Sequence, residues 1–120
     1  MSEAKAIVHR YVQAVIDGDL ETVEGLQHPD VQWWILGVGD INRDSYTASV
    51  RDSLLTASTR SVNVTGITAE RDRVAYEAVS EMMFPGKVHR DVYHNILIIQ
   101  DGLIIEGREY LDPRAVVENI

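Results

Sequence analysis

A carboxylate set among core-facing residues is the first place to look for chemistry in this chain. The segment from Leu103 to Asp112 reads LIIEGREYLD. Side chains of an extended strand alternate between faces, so Leu103, Ile105, Gly107, Glu109 and Leu111 share one face. Ile104, Glu106, Arg108 and Tyr110 take the other. The first face is the more apolar and is expected to point inward, carrying Glu109 with it. A buried carboxylate is either paired or put to use. In a low-dielectric cavity its pKa rises toward neutrality, which suits a general acid or base. The competing reading is a structural carboxylate paired with Arg108, Arg90 or a backbone donor. The neighbour of Glu109 depends on the turn at Asp101-Gly102. A three-residue loop with Gly102 in the left-handed region sets Tyr93 opposite Glu109, and a two-residue turn sets His94 there.

Other polar residues join this one. Asn95 interrupts the apolar run NILII and must find hydrogen-bond partners if buried, a ligand being one candidate. Asp91 and Tyr93 share its face. Tyr11 lies on the apolar stripe of an N-terminal helix. Tyr11 and Asn95 are candidates to donate hydrogen bonds to a developing enolate oxygen, against the commoner case of a core tyrosine with a satisfied hydroxyl. Glu77 shares a strand face with Ala75, Val79, Glu81 and Met83. Facing a cavity, it would hold a second carboxylate near the first and keep one of the two protonated. Facing water, it is a solvated or ion-paired residue. Trp33 and Trp34 point to opposite faces, one of them to the interior.

The four histidines, His9, His28, His89 and His94, form no HxH or HExxH pattern, so no metal site is expected. The chain lacks GxSxG, P-loop and GxGxxG motifs, and no cofactor is expected. It has no cysteine, which removes disulfides and thiol nucleophiles. A net charge of −8 repels phosphate backbones and argues against nucleic-acid or membrane-surface partners. The N-terminal MSEAKAIVHRYVQAVIDGD shows no leader or membrane span, and the expected location is cytoplasmic.

The elements that must position these residues follow from periodicity. Ala4, Ile7, Val8, Tyr11, Ala14 and Val15 recur at helical spacing and define a helix that stops near Gly18. Asp19 is the expected N-cap of a short second helix through about Leu26. His28-Pro29-Asp30 reads as a turn, Val31 to Leu36 as a strand, and Gly37 to Asp40 as a glycine-rich loop at a cavity mouth. Asn42 caps a third helix with the stripe Tyr46, Val50, Leu54 and Ala57. Thr59 to Thr68, Val74 to Phe84, Val88 to Gln100 and Leu103 to Leu111 read as strands joined by short turns. Asp112-Pro113 starts a short helix. Segregated helices and strands predict an α+β domain over residues 1–120, a curved antiparallel sheet packed on the N-terminal helices.

Helix one with Arg10-Tyr11-Val12…Gly18-Asp19-Leu20, and the tail Asp101-Gly102-Leu103-Ile104…Arg108-Glu109-Tyr110-Leu111-Asp112, together resemble the nuclear-transport-factor-2-like superfamily. The likeness is to its SnoaL-like and ketosteroid-isomerase-like branch. That resemblance implies a cone enclosing a cavity between sheet and helices, often closed by dimerisation, and hence a homodimer. Tyr11 matches the helix-one tyrosine that stabilises the oxyanion in ketosteroid isomerases, and Asn95 falls near the second oxyanion donor. The isomerase base position holds Ile35. Against limonene epoxide hydrolases, Glu109 matches one catalytic carboxylate. The arginine of that site falls near Glu77, the second carboxylate near Val79, and the water-positioning pair near Trp33 and Ile35. In SnoaL-like cyclases one acidic residue late in the last strand is the acid/base, and Glu109 fits that role.

The resemblance thus implies a cofactor-independent enzyme that moves a proton on a small, mostly apolar carbonyl compound, as an isomerase, cyclase or dehydratase. Glu109 is the expected acid/base, with Tyr11 and Asn95 on the carbonyl. Trp33, Ile35, Val50, Leu54, Val79 and Leu97 shape the pocket, and Glu77, Asp91 and Tyr93 add polar contacts. A non-catalytic ligand-binding or dimerisation module is the first alternative, and an epoxide hydrolase with an altered site the second.

Overall fold

The computed structural model describes residues 2–111 and the backbone of a strand at 116–119. The chain opens with α1 (Glu3–Asp17) and α2 (Leu20–Gly25), then β1 (Gln27–Ile35), β2 (Gly39–Asn42) and α3 (Arg43–Thr56). Four long strands follow: β3 (Thr59–Glu70), β4 (Arg73–Phe84), β5 (Lys87–Gln100) and β6 (Leu103–Leu111), before β7 (Val116–Asn119).

Local chemistry sets the helix ends. Ser2 caps α1 by accepting from the Lys5 amide, and Gly18 ends it at φ +69°, donating to the Ala14 and Val15 carbonyls. Asp19 accepts from the Thr22 amide at the start of α2. Asn42 accepts from the Ser45 amide at 2.8 Å and opens α3. The termini at Gly18, Asp19 and Asn42 fall where sequence reasoning put them.

The sheet runs β2-β1-β6-β5-β4-β3, with β7 pairing β5. The meander β3 to β6 is antiparallel, whereas β1 lies parallel to β6. This is the expected α+β architecture, a curved open sheet with helices on its concave face. The core is built from the α1 stripe (Ala4, Ile7, Val8, Tyr11), from Val31 and Trp33, and from the inner faces of β4 and β5.

Two local expectations change. His28-Pro29-Asp30 is not a separate turn but part of β1, where the pairing with β6 shifts register between Gln27 and Gln32. Gly39 and Asp40 are not loop but the start of β2, held opposite Ile35 and Trp34. The link between β1 and β2 is therefore a tight hairpin of three residues, 36–38. The helix start expected at Asp112-Pro113 lies outside the described residues, and Val116–Asn119 is a strand.

The register of β5 on β6 decides where Glu109 goes. Asp101 and Gly102 both have positive φ (54° and 75°), the signature of a two-residue primed turn. Gln100 and Ile99 accordingly face Leu103 and Ile104. The register then shifts between Ile98 and Ile99, which leaves Ile105 as an extra residue in β6. Beyond that bulge Asn95 stands opposite Glu109, so neither Tyr93 nor His94 does. The bulge also splits the odd face: Ile104 is fully buried before it, and Gly107 and Glu109 take the inner side after it. Leu103 and Ile105 are not on the Glu109 side.

Candidate active site

A cavity of about 270 Å³ opens between the concave sheet face and the helices. This lies just below the ordinary range for ligand pockets and fits a small molecule. Its aliphatic walls come from Val12 and Val15 of α1, Val50 and Leu54 of α3, and Ile35, Ile41 and Val62 of the sheet. Its polar groups include Tyr11, Tyr46, Tyr76, Ser80, His89, Asp91, Tyr93, Asn95 and Glu109, with Ser49 and Ser53 of α3.

Glu109 anchors the polar side. The Tyr46 hydroxyl donates to Glu109 Oε2 at 2.8 Å, and the Tyr11 and Tyr46 hydroxyls are 2.7 Å apart. Tyr11 and Tyr46 come from different helices, so the packing of α1 and α3 over the sheet assembles this chain. Burial pushes the Glu109 carboxyl above its ordinary value of 4.5, the Tyr46 hydrogen bond opposes that rise, and the charge of Asp91 adds to it. The Tyr11 and Tyr46 phenols are driven well above 10, first by burial and then by the nearby Glu109 charge. Both hydroxyls therefore stay protonated and act as hydrogen-bond donors throughout the neutral range.

The Tyr46 ring is itself fixed from below. Trp33 stacks on it at 3.7 Å between centroids, nearly parallel. Trp33 Nε1 donates to Gln27 Oε1 at 3.0 Å, and Gln27 Nε2 donates to the Val23 carbonyl and to Thr47 Oγ1. Gln27 is 3% exposed, so this buried amide is satisfied by partners that lock the indole.

A second cluster lies beside Glu109. Tyr76, Asn95 and Glu109 stand opposite one another on β4, β5 and β6 and form one row across the inner face. Asn95 Nδ2 donates to the Tyr76 hydroxyl at 3.2 Å, while Asn95 Oδ1 is buried without a partner among the described residues. Farther along β5, His89 Nε2 lies 3.9 Å from Asp91 Oδ2.

Of the residues singled out from sequence, Glu109, Tyr11, Asn95, Ile35, Val50, Leu54, Asp91 and Tyr93 line the cavity. Four do not. Glu77 and Val79 lie on the outer face of β4, because the inner face is the even one: Val74, Tyr76, Ala78 and Ser80 are buried. Glu77 is mostly exposed and pairs across the sheet with His94 at 3.9 Å. Trp33 does point inward, but it sits behind the Tyr46 ring and is 2% exposed, so it supports the wall without forming it. Leu97 is equally core, beneath the cavity floor. Trp34 lies on the outer face under Arg108, whose guanidinium is 4.2 Å from the indole.

Tyr46 and Tyr76 went unrecognised from sequence as site residues. The Tyr46 signal was present as a member of the α3 stripe but indistinguishable from packing. For Tyr76, the two acidic residues Glu77 and Glu81 on the alternate face mark that face as the solvated one.

Removing the Tyr46 hydroxyl should raise the Glu109 pKa further, because that bond favours the ionised form. We expect the Tyr46→Phe carboxyl to titrate at higher pH than wild type, read by carbon NMR of the Glu109 side chain. An unchanged or lowered pKa would mean that the bond is absent in solution.

No protein-family model matches the chain, and no curated protein matches it. Solved structures do. The Δ5-3-ketosteroid isomerase from Mycobacterium sp. superposes with a TM-score of 0.84 at 20% identity, over 98% of this chain and 100% of that one. An LEH-like epoxide hydrolase from M. tuberculosis gives 0.80 at 20% identity, over 92% and 83%. IdmH from Streptomyces antibioticus, a candidate polyketide cyclase, gives 0.80 at 19% identity, over 92% and 93%. The fold is that of the nuclear-transport-factor-2-like proteins, a frame that carries several chemistries and does not by itself fix one.

Proposed function

We propose that this protein is a small-molecule enzyme that transfers a proton on a mostly apolar carbonyl compound without a cofactor, as an isomerase, cyclase or dehydratase. One observation carries the reading: a carboxylate, Glu109, faces a cavity whose surface is mostly apolar and is held there by the Tyr46 hydroxyl at 2.8 Å. Burial makes that carboxylate a stronger base than one in water, and the fixed phenol keeps it oriented. In its ionised form Glu109 removes a proton from the carbon beside the carbonyl. The C–H electron pair becomes a carbon–carbon double bond, and the carbonyl π pair moves to oxygen. Hydrogen-bond donors of the wall hold that oxygen, and the protonated Glu109 returns its proton to the same or another atom of the substrate.

Deuterium exchange tests this without the natural substrate. The apolar aryl ketone 2-tetralone, incubated with protein in heavy water, should exchange its α-protons faster than in buffer, as read by proton NMR. No acceleration at any pH between 5 and 9 would sink the proposal.

The alternative, a binding module that uses the same cavity, draws on the orphaned Asn95 Oδ1, which asks for a ligand partner. It predicts ketone binding with no exchange. An epoxide hydrolase is the weaker reading, because the β4 positions near which its arginine and second carboxylate fall, Glu77 and Val79, lie on the outer sheet face.

The reading also carries a homodimer. Val79 and Val92, paired across β4 and β5 and exposed at 44% and 69%, offer an apolar spot where a second copy would pack. Among the described residues no helix is long and apolar enough to cross a membrane.

A further inference from the structure

Hydrogen-bond arithmetic separates the phenols of this cavity. A tyrosine hydroxyl has one hydrogen and can donate once. When Glu109 is ionised it can only accept, so Tyr46 spends its hydrogen on Glu109 Oε2. The 2.7 Å contact between Tyr46 and Tyr11 then has one possible direction, with Tyr11 as donor. Both hydrogens are committed in the very state in which the base is ready to take a proton. Tyr11, the residue that the resemblance put on the carbonyl, has only lone pairs left for a ligand.

Tyr76 is in the opposite position. Its oxygen accepts from Asn95 Nδ2 at 3.2 Å, and among the described residues its hydrogen has no acceptor. It is 2% exposed, lines the cavity, and stands in the same cross-strand row as Glu109 with Asn95 between them. Adjacent strands lie about 4.8 Å apart, so the Tyr76 and Glu109 backbones are roughly 10 Å apart, and a small planar ketone laid over Asn95 spans the row. Accepting a hydrogen bond also makes a phenol a better donor, because the two bonds polarise each other.

We propose that Tyr76, rather than Tyr11, donates the hydrogen bond that polarises the substrate oxygen, and that Asn95 is the residue positioning it. This rests on Glu109 being the base. As Glu109 takes the α-proton, the negative charge arriving on the substrate oxygen is met by the Tyr76 O–H. Tyr11 and Tyr46 form a separate branch that orients the base. Asn95 Oδ1, on the same amide as the nitrogen that holds Tyr76, is buried and unpartnered, which adds a demand on the substrate: an O–H or N–H donor close to its carbonyl, as in a hydroxyketone.

Isotope-edited infrared spectroscopy of bound carbonyl-¹³C 2-tetralone tests the assignment, with deuterium exchange measured on the same samples. In wild type the carbonyl band should move to lower wavenumber than in an apolar solvent. Tyr76→Phe should abolish most of that shift and slow exchange by about 10-fold or more, the loss of one donor at a buried oxyanion. Asn95→Ala should reduce the shift without abolishing it. Tyr11→Phe should leave the band in place and slow exchange only through the base that Tyr11 helps to orient. The assignment is overturned if the shift survives Tyr76→Phe, or if it disappears in Tyr11→Phe. A shifted band with no exchange removes Glu109 as base but keeps the donor. Exchange with an unshifted band does the reverse, and a ketone neither bound nor exchanged rejects both. Each variant keeps its ring or shrinks one amide, and circular dichroism confirms that it folds.

Discussion

Glu109→Gln is expected to lose about 10²–10⁴-fold of the ketone exchange rate, the usual worth of a positioned general base. The amide keeps an acceptor for the Tyr46 hydroxyl, so the cavity should survive and ketone binding with it. The same substitution should make the protein more stable at neutral pH. Burial raises the Glu109 pKa in the folded protein above its ordinary value of 4.5. A carboxyl with a raised folded pKa binds its proton more tightly in the native state than in the unfolded one. Its contribution to stability is therefore fully present below pH 4.5 and is lost as pH rises through the elevated folded value. Above that window wild type carries the cost of an ionised carboxylate in a poorly solvated place, and the glutamine variant does not. Urea denaturation of the two proteins should show the variant ahead at pH 7.5 and the gap closing toward pH 4. Exchange by wild type should rise with pH through the same window, since only the ionised form abstracts a proton. A variant that is less stable at neutral pH, or an exchange rate indifferent to Glu109, would contradict the assignment of this carboxylate as a strained functional group.

The second large effect lies behind the site. Gly107 faces Trp33 across the parallel pairing of β1 and β6. A Cβ built on Gly107 would come within 2.1 Å of the Trp33 ring, far inside contact distance. The indole has nowhere to retreat, being 2% exposed, tied to Gln27 and stacked on Tyr46 at 3.7 Å. We expect Gly107→Ala to destabilise the fold by about 3 kcal/mol or more, at or above the upper end of ordinary overpacking costs. Any molecules that remain folded must displace Trp33, and with it Tyr46, so the hydrogen bond to Glu109 should loosen. Equilibrium denaturation measures the first effect, and the Glu109 titration in the surviving fold measures the second. A Gly107→Ala protein as stable as wild type would show that the indole has room to move.

Both predictions depend on features that the chain displays unequally. Glu109 was legible because a carboxylate on the more apolar face of a β-rich run is conspicuous, and Asn95 because an amide breaks the run NILII. Tyr11 followed from the α1 stripe. The helix caps at Gly18, Asp19 and Asn42 were legible because capping is a matter of a few neighbouring atoms. The order of helices and strands followed from periodicity, which reports the side of an element that meets the core.

What periodicity cannot report is the partner on that side. The bulge at Ile105 moves Asn95 opposite Glu109, and nothing in LIIEGREYL announces the extra residue. The choice between the two faces of β4 was misjudged for Glu77 and Val79, since both faces carry apolar residues and only the acidic pair Glu77 and Glu81 marks the solvated one. Trp33 was placed on the right side but at the wrong depth, because depth is set by what packs in front of it, here Tyr46 from α3. Sequence alone therefore determined most of the elements, the caps at Gly18, Asp19 and Asn42 and the candidate base, all properties of short stretches of chain. Tertiary structure decided the Tyr11–Tyr46–Glu109 chain and the Tyr76–Asn95 pair. Each hydrogen bond of about 3 Å in them joins residues far apart in sequence, and only the docking of helices on the sheet and the register of its strands bring them within reach.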